Sequence, residues 1–140
     1  MYFKFREESV LLRNAQLFRR LLSPEKLDPY SAFTRLQPEL LELAYAHVER
    51  TILQYFTEAI ADVENRPLQS ALKRLADLFA LTHLDKHRAW YLEAGVFTGV
   101  KSRAIRAVVL RLCRDVRQEA VALVDAFGIP DACLAAPIAL

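Results

Sequence analysis

Apolar positions recur along this chain at the three-and-four spacing of helices, and no period-two alternation persists for more than a few residues. Four long segments carry the pattern. The first runs from about Phe5 to Leu22, with Val10, Leu11, Ala15, Phe18, Leu21 and Leu22 on one face. Arg6, Arg13 and Arg20 recur every seven residues on another face. The second runs from about Pro29 to Asp62 and carries Leu40, Leu41, Ala44, Val48, Ile52, Tyr55, Phe56 and Ala59. The third, Pro67 to Glu93, turns Leu68, Leu72, Leu75, Leu78 and Phe79 toward a core, and Leu81, Leu84, Trp90, Tyr91 and Leu92 widen its apolar surface. The fourth ends at Phe127 and carries Ile105, Val109, Leu112, Val116, Leu123 and Phe127, with Val108 and Val124 beside them.

The punctuation fits these segments. Ser23-Pro24 and Asp28-Pro29 each pair a helix cap with a proline suited to the first helical position. Pro38 falls inside the second segment, where it removes a backbone donor and crowds the preceding turn. A kink near Arg35 to Pro38, or two separate helices, is expected there. Glu64-Asn65-Arg66-Pro67 reads as a turn that starts the third segment. Gly95 is placed to stop it in the left-handed conformation, Thr98 to cap the fourth, and Gly128 with Pro130 to end that one. Long helices with short connections predict an all-α fold, an up-and-down four-helix bundle formed by residues 1–140 as one domain.

Composition adds one constraint. Hydrophobic residues make up 54% of the 140, and mean hydropathy is +0.11. No run approaches the roughly 18 apolar residues of a membrane span, so the surplus is expected to lie against another domain or subunit. A net charge of +2 is too balanced to argue for nucleic acid. Cys113 and Cys133 have neither disulfide-framework nor metal spacing. Cys113 is expected in the core. The segment Met1 to Arg6 is too charged for a signal peptide, and Ile138-Ala139-Leu140 is not the Ser-Lys-Leu peroxisomal address. These features lead to an expectation of a bacterial cytoplasmic location.

Candidate chemistry is sparse. His83 and His87, four residues apart, could ligate zinc from one helix face, but Leu84 stands where a metalloprotease has glutamate. No Glu-x-x-His pair occurs, against a di-metal carboxylate site. No metal is expected. Lys101, Arg103, Arg106, Arg111, Arg114 and Arg117 form a basic sector that either binds phosphate or pairs with Asp115, Glu119 or acids on a neighbouring helix. Glu42, Glu49 and Glu93 have the chemistry of general bases but read as surface carboxylates. Trp90, Tyr91 and Phe97 read as a plug closing the end of the bundle. Asp125 lies inside an apolar run; if buried it must find a partner, and an arginine or a helix N-terminus in a structural role is expected. No catalytic residue emerges. With only three glycines, no phosphate loop or dinucleotide turn is present.

Several strings are more specific than helical stripes. They are Phe5-Arg6-Glu7-Glu8 before Leu11-Leu12, Ala44-Tyr45-Ala46-His47-Val48-Glu49-Arg50, Asp77 to Leu84, and Arg88 to Gly95. Most specific is Leu123-Val124-Asp125-Ala126-Phe127-Gly128-Ile129-Pro130, followed by Ala135-Ala136-Pro137-Ile138. Together they resemble the C-terminal domain of the acyl-CoA oxidases, over nearly the whole chain. The resemblance implies oxidation of fatty acyl-CoA to trans-2-enoyl-CoA, with FAD as hydride acceptor and dioxygen reduced to hydrogen peroxide. It also implies that the flavin site and the catalytic glutamate lie in a dehydrogenase-like core that precedes this part. No cofactor is therefore expected in this chain alone, and Glu93 and Glu119 inherit no catalytic role. The implied partners are that core, as a domain or a subunit, and further copies in a homo-oligomer, with no nucleic acid and no membrane. Met1 falls where the oxidase tail begins, which fits a fragment, a split gene product or a free-standing relative. An independent self-associating helical module and a phosphate or nucleic-acid binder are the alternatives.

Overall fold

The computed structural model describes residues 1–23, 27–130 and 133. Among these the fold is all-α, with seven helices in place of four long ones. They are α1 (Tyr2–Leu22), α2 (Pro29–Arg35), α3 (Gln37–Ala61), α4 (Arg66–Lys86), α5 (Arg88–Glu93), α6 (Gly99–Arg117) and α7 (Ala120–Asp125). The chain forms two compact units, Met1–Ala59 and Ile60–Leu140.

In the first unit, α1 and α3 run antiparallel. As residue numbers rise along α1 they fall along α3, so Arg6 meets Glu49, Arg13 meets Glu42, and Asn14 meets the Glu39 carbonyl. Between them, α2 starts at the expected cap. Asp28 accepts from the backbone N–H groups of Tyr30 and Ser31 at 3.0 and 3.1 Å, and Pro29 occupies the first turn. Pro38 produces two helices rather than a kink. The chain leaves α2 at Leu36 (φ −88°, ψ −2°), and α3 begins at Gln37, which puts the proline in a first turn where its missing N–H costs nothing. The Ser23-Pro24 cap lies partly outside the described residues.

The faces of this unit differ from the sequence reading. The buried line of α1 is Arg6, Val10 and Asn14, while Leu11 is 53% exposed. On α3 the buried residues include Ala46 and Glu49, whereas Leu41, Tyr45, Val48, Ile52 and Tyr55 are exposed. Helix α3 thus buries an acidic side against arginines and turns its apolar stripe outward.

In the second unit, α4 and α6 pack along one another. Ala76 and Leu84 of α4 and Ile105 and Leu112 of α6 are the buried contacts, and α5 adds Tyr91. Asn65 caps α4 through the Leu68 N–H at 3.0 Å, and Thr98 caps α6 through the Lys101 N–H at 3.2 Å. Gly95 and Gly128 have φ of +70° and +60°, the left-handed stops expected of them. Two breaks were not expected. The third segment divides at His87 (φ −98°, ψ 18°), and the fourth divides at Gln118 and Glu119.

Candidate functional site

The densest polar constellation is the seam between α1 and α3. Arg6 Nη1 donates to Glu49 Oε2 at 3.0 Å, with both side chains buried, and its Nη2 lies 3.9 Å from Glu42 Oε1. Arg13 Nη2 binds the other oxygen of Glu42 at 2.5 Å. Next to Arg6 on α1, Glu7 takes a 2.7 Å hydrogen bond with His47 Nδ1 and an ion pair from Arg50 Nε. Asn14 Nδ2 donates to the Glu39 carbonyl at 2.7 Å. The helices deliver these groups because positions 6 and 13 on α1 and 42 and 49 on α3 are each seven apart, hence on one line.

The electrostatics point away from proton transfer. Burial pushes the Glu7 carboxyl up, but the hydrogen bonds from His47 and Arg50, with their charges, outweigh it and hold Glu7 below the usual range. A general acid or base working near neutrality needs the opposite shift. Glu42 and Glu49 are committed to guanidinium groups, which makes the seam a clasp between helices. Glu49 was expected on the surface and is instead 6% exposed. Its signal was present in the sequence, since Arg6, Arg13 and Arg20 match a register of acids on α3, but periodicity within one helix does not reveal a partner. Glu93 is exposed, as expected.

The other candidates are dispersed. His83 stacks on Phe79 with centroids 4.1 Å apart, and its Nδ1 lies 2.8 Å from the Phe79 carbonyl. His87 sits in the break after α4, so the two imidazoles do not share one continuous helix face. Among the described residues, no three His, Cys, Asp or Glu side chains gather where a metal could sit. Tyr91 and Phe97 are buried and stacked at 4.6 Å, with Trp90 edge-on to Tyr91 at 5.1 Å. Lys101 holds its Nζ 5.2 Å over the Phe97 ring. Arg103, Arg106, Arg111, Arg114 and Arg117 are exposed, and Glu119 pairs with Arg74 of α4 instead of with them. Two expectations are corrected. Cys113 is exposed, because it falls beside the outward arginine line rather than under Leu112. Asp125 is also exposed, in the short α7, which buries none of its residues.

One groove in the first unit, of about 220 Å³, is lined by Leu11, Phe18, Phe33, Leu36, Leu40 and Leu43 beside Asn14. Its lining holds no titratable group and is apolar apart from Asn14. A flavin would need a deep cleft with a pyrophosphate cradle. The glycine-led start of α6 is capped by Thr98, and the α6 arginines lie on a convex helix face. Among the described residues no such cleft and cradle come together.

What remains is an all-α chain with an ion-paired seam inside its first unit and outward apolar surface. Comparison with known proteins gives it a family. The acyl-CoA oxidase family model matches residues 3–140, and the chain belongs to that family. The acyl-coenzyme A oxidase-like protein of Mus musculus is 33% identical over 132 residues, covering 93% of this chain and 21% of that protein. The peroxisomal acyl-coenzyme A oxidase 2 of Arabidopsis thaliana is 32% identical over 142 residues, covering 98% of this chain and 20% of that protein. The crystal structure of acyl-CoA oxidase1 from Yarrowia lipolytica superposes on 98% of this chain with a TM-score of 0.86 at 28% identity, using 20% of its own length. The Caenorhabditis elegans acyl-CoA oxidase-1 complexed with FAD and ATP shares the fold, with a TM-score of 0.86 at 20% identity. The chain therefore spans about a fifth of the length of the relatives it matches.

Proposed function

We propose that this chain is the C-terminal helical domain of an FAD-dependent acyl-CoA oxidase, that it forms interfaces, and that it is inactive alone. In the whole enzyme the reaction converts a fatty acyl-CoA to the trans-2-enoyl-CoA, passes two electrons to FAD and then to dioxygen, and releases hydrogen peroxide. The chemistry belongs to the dehydrogenase-like core, and this domain packs on that core and supports the dimer. The observation that carries the reading is the family match across residues 3–140 against only a fifth of the relatives' length. A reducing bacterial cytoplasm, where Cys113 and Cys133 stay thiols, is part of the same proposal.

The test is a visible spectrum of the purified chain before and after FAD and a long-chain acyl-CoA, with peroxide followed in the same cuvette. No bound flavin and no peroxide are expected from the chain alone, and both are expected once the remaining four-fifths of an oxidase is supplied. A flavin that bleaches with substrate on the isolated chain overturns the reading. The exposed arginines of α6 favour a second one, phosphate binding, which requires affinity that falls steeply with salt and is lost when Arg103, Arg106, Arg114 and Arg117 are neutralised.

A further inference from the structure

The apolar groove beside Asn14 has a charged neighbour in the same unit. A second groove, of about 460 Å³, is lined by Lys4, Glu7, Glu8, Leu11, Arg50 and Gln54. Leu11 lines both. On α1 the lining residues Lys4, Glu8, Leu11, Ala15 and Phe18 step by four, three, four and three, which keeps them on one helix face. On α3 the lining residues Leu40, Leu43, Arg50 and Gln54 step by three, seven and four, again along one face. Because the two helices run antiparallel, Lys4 and Glu8 fall in register with Gln54 and Arg50, and Leu11 to Phe18 with Leu43 and Leu40. The two grooves are therefore successive lengths of one trough, charged at one end and apolar at the other. Phe33 and Leu36 of α2 complete the apolar end. Leu11 and Phe33 are each 53% exposed, so this end is open to solvent.

We propose that the trough binds a single-chain zwitterionic amphiphile, its alkyl chain lying between Leu11 and Phe18 and its head between Lys4 and Glu8. Size fixes the chain. An apolar cavity of about 150 Å³ takes a benzene ring, so one of about 220 Å³ takes a single chain of roughly eight carbons. From Leu11 to Phe18 the helix rises about 10 Å, which such a chain spans when extended. The neighbouring groove brings the whole trough into the range of small-molecule sites, about 300–1,000 Å³. Charge fixes the head. Glu7 is already held by His47 and Arg50, and Arg50 also donates to Gln54. Lys4 and Glu8 are bound only loosely, 3.8 Å apart with side chains 72% and 60% exposed. A bare anion that reaches Lys4 also meets Glu8, and a bare cation that reaches Glu8 also meets Lys4. A head that carries both signs, such as phosphocholine, answers both. The site uses the first unit alone and does not depend on the oxidase reading.

The test is calorimetric titration of the full chain with octylphosphocholine, octanoate, octyltrimethylammonium and octyl glucoside, each below its micelle concentration. Saturable one-to-one binding is expected, tightest for octylphosphocholine. Each methylene added from hexyl to octyl should tighten it about fourfold, and decyl should add little because the groove is then full. Ala15→Trp fills the apolar end from an exposed position and should weaken all four ligands by at least about tenfold. Glu8→Gln should weaken octylphosphocholine about two- to fivefold and tighten octanoate, while Lys4→Gln should tighten octyltrimethylammonium instead. Circular dichroism verifies that each variant folds, and Val121→Glu in the second unit should change nothing. Three results overturn the proposal: no binding, binding only above the micelle concentration, or binding indifferent to Ala15→Trp. Equal affinity for all four heads overturns the assignment of Lys4 and Glu8.

Discussion

Arg6 is 3% exposed, and the carboxylates that face it, Glu49 and Glu42, are on α3. Taking a guanidinium and a carboxylate out of water is costly, and their attraction mostly offsets that cost instead of adding stability. Removing one partner is a different matter, because it strands the other. Arg6→Met or Glu49→Leu alone should destabilise the chain by about 3–5 kcal/mol, while the double replacement should recover most of the loss. Urea denaturation of the four proteins checks this, and a double variant as unstable as either single one would refute it. Glu7 sets a pH dependence. Its folded carboxyl titrates below the ordinary glutamate value of about 4.3, so its contribution is present above that value and lost as pH falls through the folded one. Glu7→Gln should therefore lower the melting temperature at pH 7 and flatten its decline toward pH 3, as thermal melts at several pH values would show.

Helix ends are where the sequence was most legible. Asp28, Asn65 and Thr98 cap as their chemistry dictates, and Gly95 and Gly128 stop helices in the one conformation that favours glycine. Nothing lies within 4 Å of a Cβ built on Gly95, so the cost of a side chain there is purely backbone strain. Gly95→Ala should cost about 1–2 kcal/mol, whereas Gly99→Ala, at an ordinary φ in the first turn of α6, should be near neutral. Comparing the two melts separates strain from crowding. The breaks at His87 and Glu119 were not legible, because no glycine or proline marks them. They depend on contacts distant in sequence: Glu119 is held by Arg74 of α4, and the chain beyond His87 turns to bury Tyr91 against Phe97. The faces of α1 and α3 were hidden for a related reason. An apolar stripe signals burial somewhere, but it does not say whether the covering surface belongs to the same unit. On α3 the arginines of α1 claimed the acidic side, and the apolar side was left outward.

At the scale of the whole molecule, a hydrophobic fraction of 54% was the early sign of surface that this chain does not cover by itself. The exposed Leu41, Tyr45, Val48, Ile52 and Tyr55, with Val121, Val124 and Phe127, account for part of that excess. The family came from strings, not from periodicity, and the tail from Cys133 to Ile138 lies outside the described residues except for Cys133 itself. The buried pair of Arg6 and Glu49 also constrains how this domain can change over generations. Either codon altered alone leads through a poorly folded intermediate, while both altered together lead to an apolar contact of similar worth. The two positions, 43 residues apart, are therefore expected to behave as one character, kept together or lost together, and an alignment of relatives checks this.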